Sequence, residues 1–254
     1  MRQTDNLPMA PDVTLTTQGQ FPGIEEYVQE KIGGLSRLAH RPVLHVRVRL
    51  TKVSNPAVAN AVLAQANLDV NGRSLRAQVD ADNPRAAIDL LEARLRRQLE
   101  HIAGAPRRWR HEGEPEGRLR RLSKPGDQHR IIRRKSFTLG ACSVDEAAEE
   151  MDLLDYDFHL FTEKGTKQAS VLYRAGTTGY RLAQVQPAID QLARFDLPVT
   201  FSPQPAPVLT LARAAERLEL AGPPFLFFID PDQGRAGVLY HRYDGHYGLL
   251  SPAG

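Results

Sequence analysis

The second half of this chain repeats itself at an offset of 67 residues, and that repeat limits its fold more than any other feature. Residues 144–183 set against 211–250 share 12 identities in 40 positions, and the identities cluster. Ala147–Glu149 recurs as Ala214–Glu216, and Val171–Tyr173 as Val238–Tyr240. Each copy reads as a leading strand, a helix and three short strands. A unit of roughly 50 residues buries too little surface to be secure alone. The two copies are therefore expected to pack together within one chain, each completing the other's core. Aromatic side chains bury large areas. That makes Phe158, Phe161, Tyr173 and Tyr180, with their counterparts Phe225, Phe228, Tyr240 and Tyr247, the expected contact between the copies.

The first hundred residues follow a different pattern, β-α-β-β-β-α. Val13, Leu15 and Thr17 alternate as a short strand, and Ile24, Tyr27, Val28, Ile32 and Leu35 return to one side at helical spacing. Gly33-Gly34 should weaken the last turn of that helix. Leu44, Val46, Val48 and Leu50 are expected to point one way from a strand, and His45, Arg47 and Arg49 the other. Val62, Ala64, Ala66, Leu68 and Val70 form a second apolar row, and Leu75, Ala77 and Val79 a third. Between them stands Asn71-Gly72, whose tolerance of positive φ suits a type I′ hairpin turn. Asp82 or Asn83 can cap a final helix with Pro84 in its first turn. Its stripe is Ile88, Leu91, Leu95, Leu99 and Ile102. Two helices on one sheet face bury all these rows. The fold class is α+β, with an N-terminal domain over 1–104, a linker over 105–130 and tail copies over 131–186 and 198–254.

Helices on one face leave the other face open and cationic, carrying Arg47, Arg49 and, from the neighbouring hairpin strand, Arg76. On the last helix Arg94, Arg97 and His101 are spaced three and four apart, with Arg85 and Arg96 to one side. Guanidinium groups suit phosphate oxygens and stack on bases. These eight residues are the candidate RNA contacts of the domain.

Net charge is unevenly spread. Residues 1–105 sum to +2, residues 106–135 to +7 and residues 136–254 to −6. A cationic middle points to a polyanionic partner. The linker is rich in proline, glycine and charge and has no sustained period, so it reads as a flexible basic tether. Arg107, Arg108, Arg110, Arg118, Arg120 and Arg121 are its candidate RNA contacts, and Trp109 its one tryptophan. The single cysteine, Cys142, excludes an internal disulfide and a cysteine-based metal cluster. No apolar run approaches the length of a membrane span, and the first residues lack a secretory core. A cytoplasmic protein is expected, with no cofactor, metal or small-molecule substrate. Asp244 and His246 can share one side of a strand but have no nucleophile or metal partner, so they read as turn and surface residues. Cys142, just before a helix, has the dipole to favour a thiolate, although a plain small residue there is the simpler reading.

Several segments resemble the long-form ribosome hibernation promoting factors. RAAIDLLEARLRRQL (Arg85–Leu99) is similar to that family's last N-terminal helix. RRKSFTL (Arg133–Leu139), VDEAAEEMDLLDYDFHLF (Val144–Phe161) and VLYHRYDGHYGLL (Val238–Leu250) are similar to its C-terminal domain. The resemblance implies a non-enzymatic protein whose N-terminal domain sits in the mRNA and tRNA channel of the 30S subunit and 70S ribosome, against 16S rRNA. It implies inhibition of translation under stress. Long forms use the C-terminal domain to join two ribosomes. This chain departs in carrying two such copies, like the hypoxia-associated actinobacterial members, and its motif is split between them. A monomer with its copies paired internally is expected. The alternatives are a dimeric structured-RNA adaptor or a ribosome-dimerising factor.

Overall fold

The computed structural model describes residues 13–39, 42–52, 62–103, 131–137, 140–175, 179–242 and 246–252. The chain forms two compact units.

In the first unit, strand β1 (Val13–Gln18) leads into helix α1 (Ile24–Gly33) and then strand β2 (Val43–Lys52). β1 and β2 pair in parallel, so α1 is a crossover lying on the sheet. At Gly34 the α-helix gives way to a 3-10 turn over Gly34–Arg37 that still buries Leu35, as the glycine pair predicts. Strands β3 (Val62–Val70) and β4 (Arg73–Ala81) add antiparallel, in the order β1-β2-β3-β4. Asn71 (φ 51°) and Gly72 (φ 83°) turn the β3–β4 hairpin, and the Asp69 carboxylate accepts from the Gly72 N–H at 2.7 Å. Helix α2 (Pro84–Ile102) is capped by Asn83, whose side chain accepts from the Ala86 N–H at 2.9 Å.

The expected apolar rows meet in one core, from Val46, Val48 and Leu50 through Ala64, Ala66 and Leu75 to Ile88, Leu91 and Leu95. Leu44 does not join them. It is 60% exposed, because the β2–β3 register shifts between Val43 and His45. The irregularity turns the strand so that Val43 packs on the core in its place.

The second unit contains strand β5 (Ile131–Phe137), strand β6 (Ala141–Cys142), helix α3 (Val144–Leu153) and strands β7 (Phe158–Glu163), β8 (Ala169–Ala175) and β9 (Gly179–Gln184). The second copy supplies strand β10 (Val199–Phe201), helix α4 (Leu211–Ala221) and strands β11 (Phe225–Asp230), β12 (Arg235–His241) and β13 (Tyr247–Pro252). The leading strands are exchanged. β5 pairs in parallel with β13 of the second copy, and β10 pairs in parallel with β9 of the first. The sheets thus run β10-β9-β8-β7-β6 and β11-β12-β13-β5, each holding a strand from the other copy.

Each helix covers one face of its own copy's sheet. α3 sets Val144, Ala147, Ala148 and Met151 against Phe161, Leu172, Tyr180 and Leu182. α4 sets Ala214 and Leu218 against Phe228, Leu239, Tyr247 and Leu249. The remaining faces meet each other through Leu160, Val171, Phe227 and Val238. Phe158 and Phe225 lie with ring centroids 4.7 Å apart, flanked by Phe158–Tyr240 at 5.5 Å and Tyr173–Phe225 at 5.1 Å. The two flanking contacts are equivalent under the 67-residue repeat, so the copies are related by an approximate two-fold axis.

Of the eight aromatics expected at this contact, four are there. Phe161, Tyr180, Phe228 and Tyr247 instead lie under the helices. Side chains alternate across a strand, and Phe158 and Phe161 are three residues apart, so they must take opposite faces. At Gly248 an added Cβ would stand 2.3 Å from the Tyr240 ring, so the glycine lets that ring lie over β13. The first copy has Arg181 at the equivalent position.

Candidate nucleic-acid interface

With α1 and α2 on one side of the first sheet, the odd-numbered positions of β2 and β3 and the even-numbered positions of β1 and β4 face the other way. Strand register arranges them in rows. Thr14, Arg47, Asn67 and Arg76 are direct cross-strand neighbours, and so are Thr16, Arg49, Gln65 and Gln78 in the next row. Arg47 and Arg49 are exposed, and among the described residues neither is paired with a carboxylate. Arg76 is half-buried and donates to the Gln78 side-chain oxygen at 2.7 Å, while Gln65 donates to that same oxygen. Leu63, at one end of this face, is buried, so the open part is the stretch carrying the two rows.

The helix residues separate. Arg94 does not share an open face with Arg97. Only 7% of it is exposed, and its guanidinium donates to the Gln78 carbonyl at 2.6 Å. Gln98, one turn on, donates to the Arg76 carbonyl at 2.8 Å. Both side chains satisfy backbone acceptors of β4, an edge strand of this sheet, and such edges are otherwise open to stray pairing. Arg94 therefore holds structure. Arg96 is exposed and paired with Glu92 one turn back, an arrangement worth little on a helix surface. Arg97 is exposed, with a long contact to the Ala93 carbonyl, and His101 is half-buried.

Arg85 is exposed and lies over the Tyr27 ring, 5.1 Å from its centroid. The Tyr27 hydroxyl donates to Asp89 at 2.7 Å, and Lys31 approaches the same carboxylate at 3.1 Å. The Tyr27 bond, reinforced by Lys31 and Arg85, holds the Asp89 carboxyl below its ordinary range against the smaller effect of burial. Arg85 and Arg97 thus stand on the helical side of the unit, and Arg47 and Arg49 on the opposite side. The linker residues Arg107, Arg108, Trp109, Arg110, Arg118, Arg120 and Arg121 lie outside the described residues.

Sequence reasoning passed over Thr14, Thr16 and Asn67. The hairpin turn was the available signal: a two-residue loop at Asn71-Gly72 fixes Asn67 opposite Arg76. At Cys142 the surroundings favour the simpler reading over a thiolate. Burial first, then Glu150, Glu146 and Glu163, push its thiol up to about 12. Asp244 lies outside the described residues. Among the described residues, no cluster of three or more His, Cys, Asp or Glu is placed to hold a metal ion. No described helix is long and apolar enough to cross a membrane.

Two family models match this chain. The model for sigma 54 modulation protein / S30EA ribosomal protein covers residues 21–105, and the model for the C terminus of that protein covers 126–182 and again 202–249. The chain belongs to this family. The C-terminal model matches twice, once over each copy of the repeat, and its second match begins after β10. Among family relatives, a dormancy associated translation inhibitor of Mycobacterium tuberculosis is 37% identical over 253 residues, covering 96% of this chain and 89% of the relative. A ribosome hibernation promotion factor of Picosynechococcus is 26% identical over 172 residues, covering 63% of this chain and 89% of the relative. The crystal structure of the Thermus thermophilus Protein Y N-terminal domain is 21% identical with a TM-score of 0.32, covering 37% of this chain and 99% of that one.

Proposed function

We propose that this family member is a cytoplasmic, non-enzymatic ribosome hibernation factor. Its first unit occupies the mRNA and tRNA channel of the 30S subunit in the 70S ribosome, contacts 16S rRNA there, and stops translation under stress such as hypoxia or dormancy. The observation that carries this reading is the pair of exposed, unpaired arginines, Arg47 and Arg49, on the open sheet face of a chain in this family. Arg85 and Arg97 supply charge on the opposite side, which suits a body lodged between two RNA walls better than one resting on a single surface. Such contacts position a protein by the shape and charge of folded RNA, without reading sequence. The name of the mycobacterial relative, a translation inhibitor, points the same way. The net +7 of residues 106–135 adds attraction to the same partner.

The tail unit serves a monomer in this proposal. Its two copies meet through Phe158, Tyr173, Phe225 and Tyr240 and exchange their leading strands within one chain. Covalent linkage raises the effective concentration of one copy around the other, to roughly millimolar for a short connection. Pairing between molecules must compete with that.

In a purified translation system, one chain per ribosome should suppress synthesis, and ribosomes already loaded with mRNA and initiator tRNA should resist. Light scattering on the free protein should give the mass of a single 28.3 kDa chain. Undiminished synthesis at several-fold excess would refute the inhibitory role. A mass of two chains together with a protein-dependent 100S peak would refute the monomer.

A further inference from the structure

Charge attraction leaves part of the open sheet face unexplained. Asn67 stands in the middle of β3, a central strand, where asparagine is a poor strand former. It is exposed, flanked in register by Arg47 on one side and Arg76 on the other. Its amide makes no hydrogen bond with any described residue, whereas Gln65 and Gln78 in the adjacent row bond each other. Thr14 and Thr16 extend the two rows on β1, both exposed. Neighbouring strands are about 4.8 Å apart, so the two arginine positions lie about 10 Å from each other with Asn67 midway. The face therefore presents short, neutral groups that both donate and accept, set between long cations.

We infer that Asn67, with Thr14 in the same row, recognises the ribose 2′-hydroxyl in the minor groove of an A-form RNA helix. A 2′-hydroxyl donates and accepts, and so does a side-chain amide. The A-form minor groove is wide and shallow and displays these hydroxyls, so a flat sheet with short side chains can reach them. Arg47 beside Asn67 and Arg49 in the adjacent row, both exposed, can extend to the phosphates that border the groove. The inference rests on the rRNA-binding role proposed for this face and adds the atom that it recognises.

The test uses the full-length protein, an RNA hairpin and its fully 2′-O-methylated counterpart, which keeps the A-form and the phosphate charge but loses the hydroxyl donor. Fluorescence anisotropy at low salt should show the unmodified hairpin bound about fivefold more tightly, the size of one hydrogen bond. Asn67→Ala should bring the two hairpins to parity by weakening only the unmodified one. Arg47→Ala should weaken both alike and leave their ratio unchanged. Equal binding of the two hairpins by the native protein, a ratio that survives Asn67→Ala, or no binding of the RNA hairpin would each overturn the inference. Sedimentation of the same protein with 30S subunits separates the two levels. Failure there sinks the ribosomal role itself, whereas 30S binding with hairpin parity sinks only the recognition of the hydroxyl.

Discussion

Replacing Arg47 and Arg49 together by glutamate is expected to lower affinity for the 30S subunit by about 100-fold or more at moderate salt, with the far-UV spectrum and melting temperature unchanged. Each arginine that meets a phosphate releases condensed counterions, and each glutamate adds repulsion in its place, so affinity and its salt dependence fall together. The fold should tolerate the change because both side chains are exposed and no described residue depends on them. Arg94→Ala should give the opposite signature. That guanidinium is buried and bonds the Gln78 carbonyl, so its loss leaves an orphaned acceptor and should cost about 1–3 kcal/mol of stability. Its effect on 30S affinity, measured where the variant is fully folded, should be small. Unchanged affinity in the double glutamate variant, or a large affinity loss in folded Arg94→Ala, would reverse these assignments.

Deleting residues 198–254 is expected to unfold the remaining tail copy. The cut removes β10 from the first sheet and leaves β5 without β13, its one sheet partner among the described residues. It also exposes Phe158, Leu160, Val171 and Tyr173, which pack against the second copy. Each large apolar group returned to water costs about 1.5–3 kcal/mol, and a fragment of that size has only a few kcal/mol to lose. Amide exchange should show protection lost across residues 141–175 and 179–184 and kept across 43–52 and 62–102. Native-like protection of α3 and β7–β9 in the truncated chain would show that one copy is self-sufficient.

Much of this architecture was legible from local rules. Asn71-Gly72, Asn83-Pro84 and the alternation of Val46 to Leu50 each have a short-range cause, and each formed as expected. The strand exchange was not legible, because sequence order places β5 beside α3 and says nothing of β13. Nor was the shift at Val43, which belongs to the pairing of the start of β2 with the end of β3 at Asp69 and Val70. The division of the tail aromatics could have been read, since Phe158 and Phe161 differ by an odd number and must face opposite ways. Arg94 was the least predictable site residue. Helical spacing puts it near Arg97, but only the packing of α2 along β4 shows that its guanidinium turns inward to a backbone carbonyl. The position of Asn67 on the open face was legible too, because the Asn71-Gly72 turn sets it opposite Arg76.

Co-sedimentation of the purified protein with 30S, 50S and 70S particles over a salt series tests the central claim most directly. About one chain should be recovered per 30S or 70S particle at low salt, with little on 50S alone and release as salt rises. Equal recovery with 50S and 30S, or no recovery with either 30S or 70S at low salt, would contradict it.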